Sequence, residues 1–270
     1  MEFNRQKLEA ALETGQESRY LPFSLHIFES VPSTNQTLWE LLNQGATPGT
    51  VVIATQQTAG RGQWGRQWIS PAGGIYLSVA IAPKIDAIDS YQLTLATAWG
   101  ISFQLRQCGV SVGIKWPNDL VLNDRKLGGI LTETKINKGK ITQAVIGVGI
   151  NWANPVPETG INLESWQTSQ HSKPISCLEM LTSTVLLGIE SGVQCLFQEG
   201  ISILLSRYLD LLTNIGDQVY FNNLLGTVVG VNSQGNLKVN LQTDDTKTLI
   251  TPEIYIEPGT ISLGYHKSSV

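Results

Sequence analysis

Gly60-Arg61-Gly62-Gln63-Trp64-Gly65-Arg66 runs into Trp68, Ser70-Pro71 and then Ile75-Tyr76-Leu77-Ser78-Val79. The glycines formally match G-x-G-x-x-G, the fingerprint of a dinucleotide-binding fold. That fold needs a helix directly behind the glycines, because the pyrophosphate sits on the helix N-terminus. Here the glycines lead through a proline to a strand-like run, so the nicotinamide reading fails. What remains is a flexible backbone with free N–H groups and two arginines, a composition suited to a polyanion. A solvated surface loop with turn glycines has the same composition. So many glycines make residues 58–74 costly to order, and Arg61 and Arg66 are expected to find partners only when a carboxylate and a phosphate arrive.

Upstream of the loop, residues 3–14 suit a short amphipathic helix, with Leu8 and Leu12 four apart. Residues 25–28 read as a strand. Ser33 with Gln36 fits a capping box worth about 1 kcal/mol and opens a helix over 34–43 that Gly45 ends. Residues 51–54 read as a buried strand.

Downstream, a strand over 75–81 precedes the longest helical candidate, 89–107, closed by Gly109. Residues 114–122 and 127–134 read as strands either side of Asn123-Asp124-Arg125, with another at 144–150. Helices are expected at 176–197 and 200–212. After Asn214 the pattern changes to short strands at 219–221, 227–231, 237–241 and 248–251, with turn residues such as Asn232-Ser233-Gln234-Gly235 between them. That suggests a small β-barrel of roughly 50 residues. The expected divisions are 1–24 for a short helical segment, 25–213 for the main domain and 214–270 for the barrel.

Of the 270 residues 41% are apolar and 15% charged, the profile of a soluble globular chain. The net charge of −4 gives no general electrostatic case for nucleic-acid binding. Cys108, Cys177 and Cys195 show no zinc or redox spacing, which favours a reducing compartment and thiols that pack as small hydrophobes. Residues 1–15 lack the apolar centre of a secretory signal. No apolar run approaches the ~20 residues of a membrane span. A cytoplasmic protein with no membrane partner is expected.

A second segment gives the loop its meaning. Lys115-Trp116-Pro117-Asn118-Asp119-Leu120-Val121-Leu122 is followed by Lys126-Leu127-Gly128-Gly129-Ile130-Leu131. Two lysines bracket a strand–turn–strand unit, with Asn118-Asp119 at a proline-set bend. The paired glycines let a ligand or another backbone approach closely. Taken alone, Lys126 is a solvated hairpin lysine and the glycines a bulge.

Taken in order, Ser33-Thr34-Asn35, Gln57-Thr58-Ala59-Gly60-Arg61-Gly62, Gly65-Arg66, Lys115 to Asp119, Lys126 to Leu131 and Gly147-Val148-Gly149-Ile150-Asn151 resemble the motifs of biotin–protein ligases. The likeness spans about residues 25–155 by motif, and the C-terminal strands are similar to that family's small SH3-like domain. The resemblance implies an α/β (α+β) fold. It would have a mixed sheet with helices packed on one side, a class II synthetase-like catalytic domain and a C-terminal SH3-like barrel. It implies an ATP-dependent ligase that makes biotinyl-5′-AMP and passes biotin to a lysine of a biotin carboxyl carrier protein. ATP and biotin would be substrates, with Mg²⁺ on the triphosphate and no protein metal ligand named.

Carried onto this chain, the resemblance assigns biotin contacts to Ser33, Thr34, Asn35, Gln57, Gly60, Arg61, Gly62, Gln63, Lys126 and Gly129. Thr34 and Asn35 would face the ureido ring. Lys126 is the first candidate for the catalytic cation, with Arg61 and Arg66 beside it, because a carboxylate attacking a phosphate must overcome the repulsion of two anions. Arg66, Trp68, Asn118 and Asn151 are candidate nucleotide contacts. Trp64 and Trp68 could shield the site or stack on adenine, or instead be surface or core residues, and Asp119 is either an acceptor-lysine contact or structural. The family commonly has arginine at the position of Gln63, so the mixed anhydride is expected to be held less firmly here unless Arg66 takes over.

Only 32 residues precede Ser33, too few for the N-terminal DNA-binding module of some members, so no DNA partner is expected. A homodimer through an exposed sheet edge is a further expectation. The rival enzyme is a lipoate–protein ligase, against which Thr34-Asn35, Gln57 and the 60–66 loop count. The rival from another class is a non-enzymatic biotin sensor, against which the arginines and Lys126 count. The scattered His26, His171 and His266 sit in no motif.

Overall fold

The computed structural model describes residues 3–13, 20–242 and 252–265. Its centre is a seven-stranded sheet in the order β1-β2-β3-β7-β6-β5-β4. The strands are β1 (Ser24–Val31), β2 (Thr50–Gln57), β3 (Ile75–Ile81), β4 (Gly113–Lys115), β5 (Asp119–Leu122), β6 (Arg125–Asn137) and β7 (Lys140–Ile150). Between β1 and β2 lies α2 (Thr34–Asn43), and that crossover makes the pair parallel. Every other pairing in this sheet is antiparallel, so the sheet is mixed, as expected.

The alternation of β2 and β3 sorts the core into two faces. Val51, Ile53, Leu77, Val79 and Ile81 point to the main core, shared with α3 (Tyr91–Gln107) and α5 (Leu178–Gln198). Val52, Ala80 and Val145 point the other way, against Leu38 and Leu42 of α2. The principal helical layer thus covers one face, and α2 covers part of the other. That second face carries the cleft.

Behind the sheet α3 and α5 cross at glycines. A Cβ on Gly100 would lie 2.0 Å from the carbonyl oxygen of Gly188, and one on Gly192 would lie 2.0 Å from that of Ala96. The contact therefore requires bare backbone on both helices. At 21 residues and a mean hydropathy of 1.4, α5 is long and apolar enough to cross a membrane, which corrects the expectation that no apolar run approaches that length. Within this fold 72% of its most apolar 18-residue stretch is buried, and it packs beside α1 (Arg5–Glu13), α3 and α6 (Ile201–Leu209). A short α4 (Leu163–Ser169), capped by Asn162 Oδ1 accepting from Ser165 N at 2.9 Å, was not expected.

Two local expectations need correction. The single strand expected over 114–122 is broken at 116–118, and β4 and β5 pair antiparallel as a small hairpin around it. Ser33 occupies the N-cap position of α2 with extended φ/ψ but makes no side-chain capping bond. The free N–H of Thr34 is taken instead by Gln57 Oε1 at 2.8 Å, and Gln36 turns outward to Glu40. A residue from β2 has replaced the local box.

The C-terminal part is a four-stranded antiparallel sheet in the order β11-β10-β9-β8, the small all-β element the sequence led us to expect. Its strands are β8 (Gln218–Phe221), β9 (Leu224–Val231), β10 (Leu237–Leu241) and β11 (Glu253–Ile256). The strand expected at 248–251 lies outside the described residues. Asn222 and Asn223, both at positive φ, form the two-residue turn that a hairpin favours. Val219, Val228, Leu237 and Ile256 join the main core, and Trp116 Nε1 donates to the Gly235 carbonyl at 2.8 Å.

Candidate active site

The cleft has a floor of bare backbone. In β7 Gly147 and Gly149 share the face of Ser78 and Tyr76, their partners in β3, and in β6 Gly129 pairs with Gly149. A Cβ at Gly147 would stand 2.2 Å from Asn35 Oδ1, and one at Gly149 would stand 2.4 Å from Trp68 Nε1. The glycines thus let Asn35 and Trp68 lie directly on the sheet.

At one end stand Ser33, Thr34 and Asn35, all buried. Asn35 is fixed through both ends of its amide. Its Oδ1 accepts from Ser78 Oγ at 2.6 Å, and its Nδ2 donates to Glu133 Oε2 at 2.9 Å. Gln57 accepts from Thr34 N and donates through Nε2 to Ser70 Oγ at 2.8 Å. The sequence reading missed Ser78 and Glu133. Ser78 could have been found, since a serine at the centre of an otherwise apolar strand asks for a partner.

The glycine loop folds back on itself. Gly62 N donates to the Arg66 carbonyl at 2.7 Å and Trp68 N to the Gly60 carbonyl at 3.0 Å, with Trp64 at φ +53° and Gly65 at φ +73°. Gly60 is a turn residue, for a Cβ there would meet the Trp68 carbonyl at 2.3 Å. It does not line the cleft, whereas Gly62 and Gln63 do. Arg61 already has a partner, Glu133 Oε2 at 2.9 Å, which corrects the expectation that it waits for a ligand. Arg66 lies over the Trp64 ring at 5.7 Å, and Trp64 is half exposed. Two buried polar atoms of this loop, Gln63 Oε1 and Trp68 Nε1, have no protein partner.

At the other end Lys126 Nζ meets Asp119 Oδ1 at 2.6 Å and stands 5.1 Å from the Trp68 ring. Backbone bonds hold this lysine independently of its side chain: its N–H donates to the Thr159 carbonyl and its carbonyl accepts from Ile161. Asn118 lines the cleft, with Nδ2 donating to the Ile130 carbonyl at 2.7 Å. Asn151 is not brought there. Its Nδ2 faces the Lys126 carbonyl at 3.4 Å and its Oδ1 accepts from Asn154, so it braces the lysine's strand from behind. Lys115 is an addition to the cleft. Burial pushes its ammonium down to about 8, with the nearby Asp119 charge opposing the shift.

The arrangement is a slot with fixed amides and hydroxyls at one end and ammonium groups at the other. It can orient a ligand with a polar head and an apolar body while neutralising negative charge at the far end. His26 and His171 lie outside it, and His266 lies outside the described residues.

Comparison with known proteins gives the same fold. The profile of the Biotin/lipoate A/B protein ligase family matches residues 27–151. The chain is 34% identical over 224 residues to the bifunctional ligase/repressor BirA of Escherichia coli (strain K12), covering 79% of this chain and 68% of that protein. It is 36% identical over 145 residues to BirA of Bacillus subtilis (strain 168), covering 53% and 45% respectively. The chain therefore spans about half to two thirds of these relatives. A biotin protein ligase from Aquifex aeolicus, solved with biotin and ATP, superposes with a TM-score of 0.69 at 23% identity, covering 88% of this chain and 97% of that one.

Proposed function

The chain belongs to the Biotin/lipoate A/B protein ligase family, and from that premise we propose that it is a biotin–protein ligase. It would activate biotin with ATP and transfer it to a lysine of a biotin carboxyl carrier protein. One observation carries the choice: the fixed Thr34–Asn35–Gln57 cluster and the Lys126 ammonium face one cleft across a glycine floor. Biotin has that polarity, with a ureido head, an apolar body and a terminal carboxylate. Its valerate chain would run beside Asn35 and Trp68, the two side chains that Gly147 and Gly149 allow to lie down on the sheet.

In the first half-reaction the biotin carboxylate attacks the α-phosphorus of ATP, and pyrophosphate leaves. Two anions must meet, so the chain's task is positioning and neutralisation. Lys126 offsets the repulsion and the charge that develops in the transition state. Arg61 and Arg66 serve the lip of the cleft, and Arg61 must exchange Glu133 for a ligand anion to take part. Trp68 and Asn118 would contact the nucleotide. Magnesium would enter on the triphosphate and neutralise part of its charge.

In the second half-reaction the acceptor's lysine amine attacks the biotinyl carbonyl and AMP leaves. No enzyme nucleophile is needed, because the adenylate is itself the activated donor. Asp119 would receive the proton that the amine loses, releasing Lys126 or Tyr265 to do so. The proposed compartment is the cytoplasm, in keeping with three free thiols. Self-association would use β1, an edge strand paired only with β2 in the sheet.

Incubation with biotin, ATP and Mg²⁺, followed by mass analysis, tests the reading. Biotinyl-AMP and a singly biotinylated carrier domain are expected. Adenylation of lipoate in preference to biotin, or biotin binding without pyrophosphate release, would overturn it.

A further inference from the structure

Residues beyond the family match also reach the cleft. After β11 the chain turns at 257–260, where Thr260 N donates to the Glu257 carbonyl at 3.1 Å. Gly259, at φ +93°, packs on the Trp64 indole so closely that a Cβ would lie 2.4 Å from Nε1. The chain then runs along the cleft wall. The carbonyls of Leu263 and Gly264 both accept from Lys115 Nζ at 2.5 Å, and the ring of Tyr265 lies 3.4 Å from that nitrogen. The Tyr265 hydroxyl donates to Asp119 Oδ2, while the other oxygen of Asp119 holds Lys126.

From this relay we infer that Tyr265 is a positioning residue that acts on Lys126 through Asp119, and that the segment 261–265 is part of the active site. This rests on the ligase reading. A carboxylate held by Lys126 alone is free to rotate and engage the ammonium with both oxygens, drawing it off the reacting phosphate. The hydroxyl holds Oδ2 and leaves one oxygen for the lysine. Lys115 fixes the direction of that hydroxyl, because its ammonium grips the ring's face and two flanking carbonyls. Burial, then the Asp119 charge, drives the Tyr265 phenol far above its ordinary range, so it stays a neutral donor.

The test compares Y265F, D119N and the double variant, each assayed for biotin-dependent pyrophosphate release and melted to confirm folding. Phenylalanine keeps the ring on Lys115 and removes only a hydrogen bond to a charged group, a change worth about tenfold. The expected result is a kcat about tenfold lower in Y265F, with KM for biotin and ATP within about twofold. If Tyr265 works through Asp119, the double variant is no slower than D119N, since coupled residues do not add. Wild-type kcat in Y265F or in D119N, losses that multiply in the double, a change in KM alone, or a rate loss matched by loss of folded protein would each overturn the inference. Wild-type protein that forms no biotinyl-AMP would overturn the ligase reading and the inference together. An active wild type with an unaffected Y265F would overturn the inference alone.

Discussion

Replacing Lys126 with alanine separates what the side chain does for the fold from what it does for the chemistry. The lysine side chain is 29% exposed and that of Asp119 is 16% exposed, so the pair lies near the surface of the cleft. Losing a partly solvated ion pair costs about 1 kcal/mol at most, and Asp119 keeps Tyr265 as a donor. The strand at 126 is held by its own backbone bonds to Thr159 and Ile161. A melting shift of no more than ~2–4 °C follows for a chain of this size. On the proposed function the same ammonium would stand against two anions once biotin and ATP fill the cleft. Removing such a stabiliser costs on the order of 3 kcal/mol in the barrier, or roughly a hundredfold in rate. Pyrophosphate release under saturating biotin and ATP, together with a melting curve, reads both numbers. Lys126→Arg should recover part of the rate, since it keeps the charge at a different reach. A folded Lys126→Ala protein that releases pyrophosphate within about threefold of wild type would refute the assignment.

Gln63→Arg should slow the escape of biotinyl-AMP, because Gln63 Oε1 is buried without a partner and carries no charge to hold an anhydride. An unchanged or faster release rate, measured by trapping free adenylate, would refute this. Gly100→Ala should lower the melting temperature by several degrees. With the added Cβ 2.0 Å from the Gly188 carbonyl oxygen, the overpacking cost falls at the upper end of about 1–3 kcal/mol and outweighs the ~1 kcal/mol of helix propensity gained, and an unchanged melting curve would contradict the close crossing. The chain should give no sequence-specific mobility shift with DNA at moderate salt, in keeping with its net charge of −4. A specific, biotin-dependent shift would refute that.

Periodic and repetitive features were legible in the sequence. The run 75–81 is the strand β3 to the residue, and the helix expected over 89–107 begins two residues later. Both depend on local pattern, which is read from neighbouring residues without any distant partner. The motif residues also converge: amides from α2, the loop and Lys126 meet at one cleft. Features that depend on distant partners were not legible. The capping of α2 by Gln57 needed β1 and β2 to be parallel before the two could meet. The Arg61–Glu133 and Tyr265–Asp119 contacts join residues 72 and 146 positions apart, and no spacing rule announces them. Asn151 is a different case. Its motif suggested a ligand contact, but its amide serves the neighbouring strand.

The glycine crossing of α3 and α5 has a mechanical side. Two helices that touch backbone to backbone have no side-chain cushion between them that could change rotamer under load, and close-packed interiors compress little. The rear of the sheet is therefore stiff where its front, carrying the cleft, has a loop and a C-terminal segment that meet where Gly259 packs on Trp64. A ligand in the cleft presses through Asn35 and Trp68, which lie on Gly147 and Gly149, against a backing that gives little. Any yielding falls to the lip and the C-terminal wall, so the work of binding goes into shaping the mouth of the slot rather than bending the sheet beneath it.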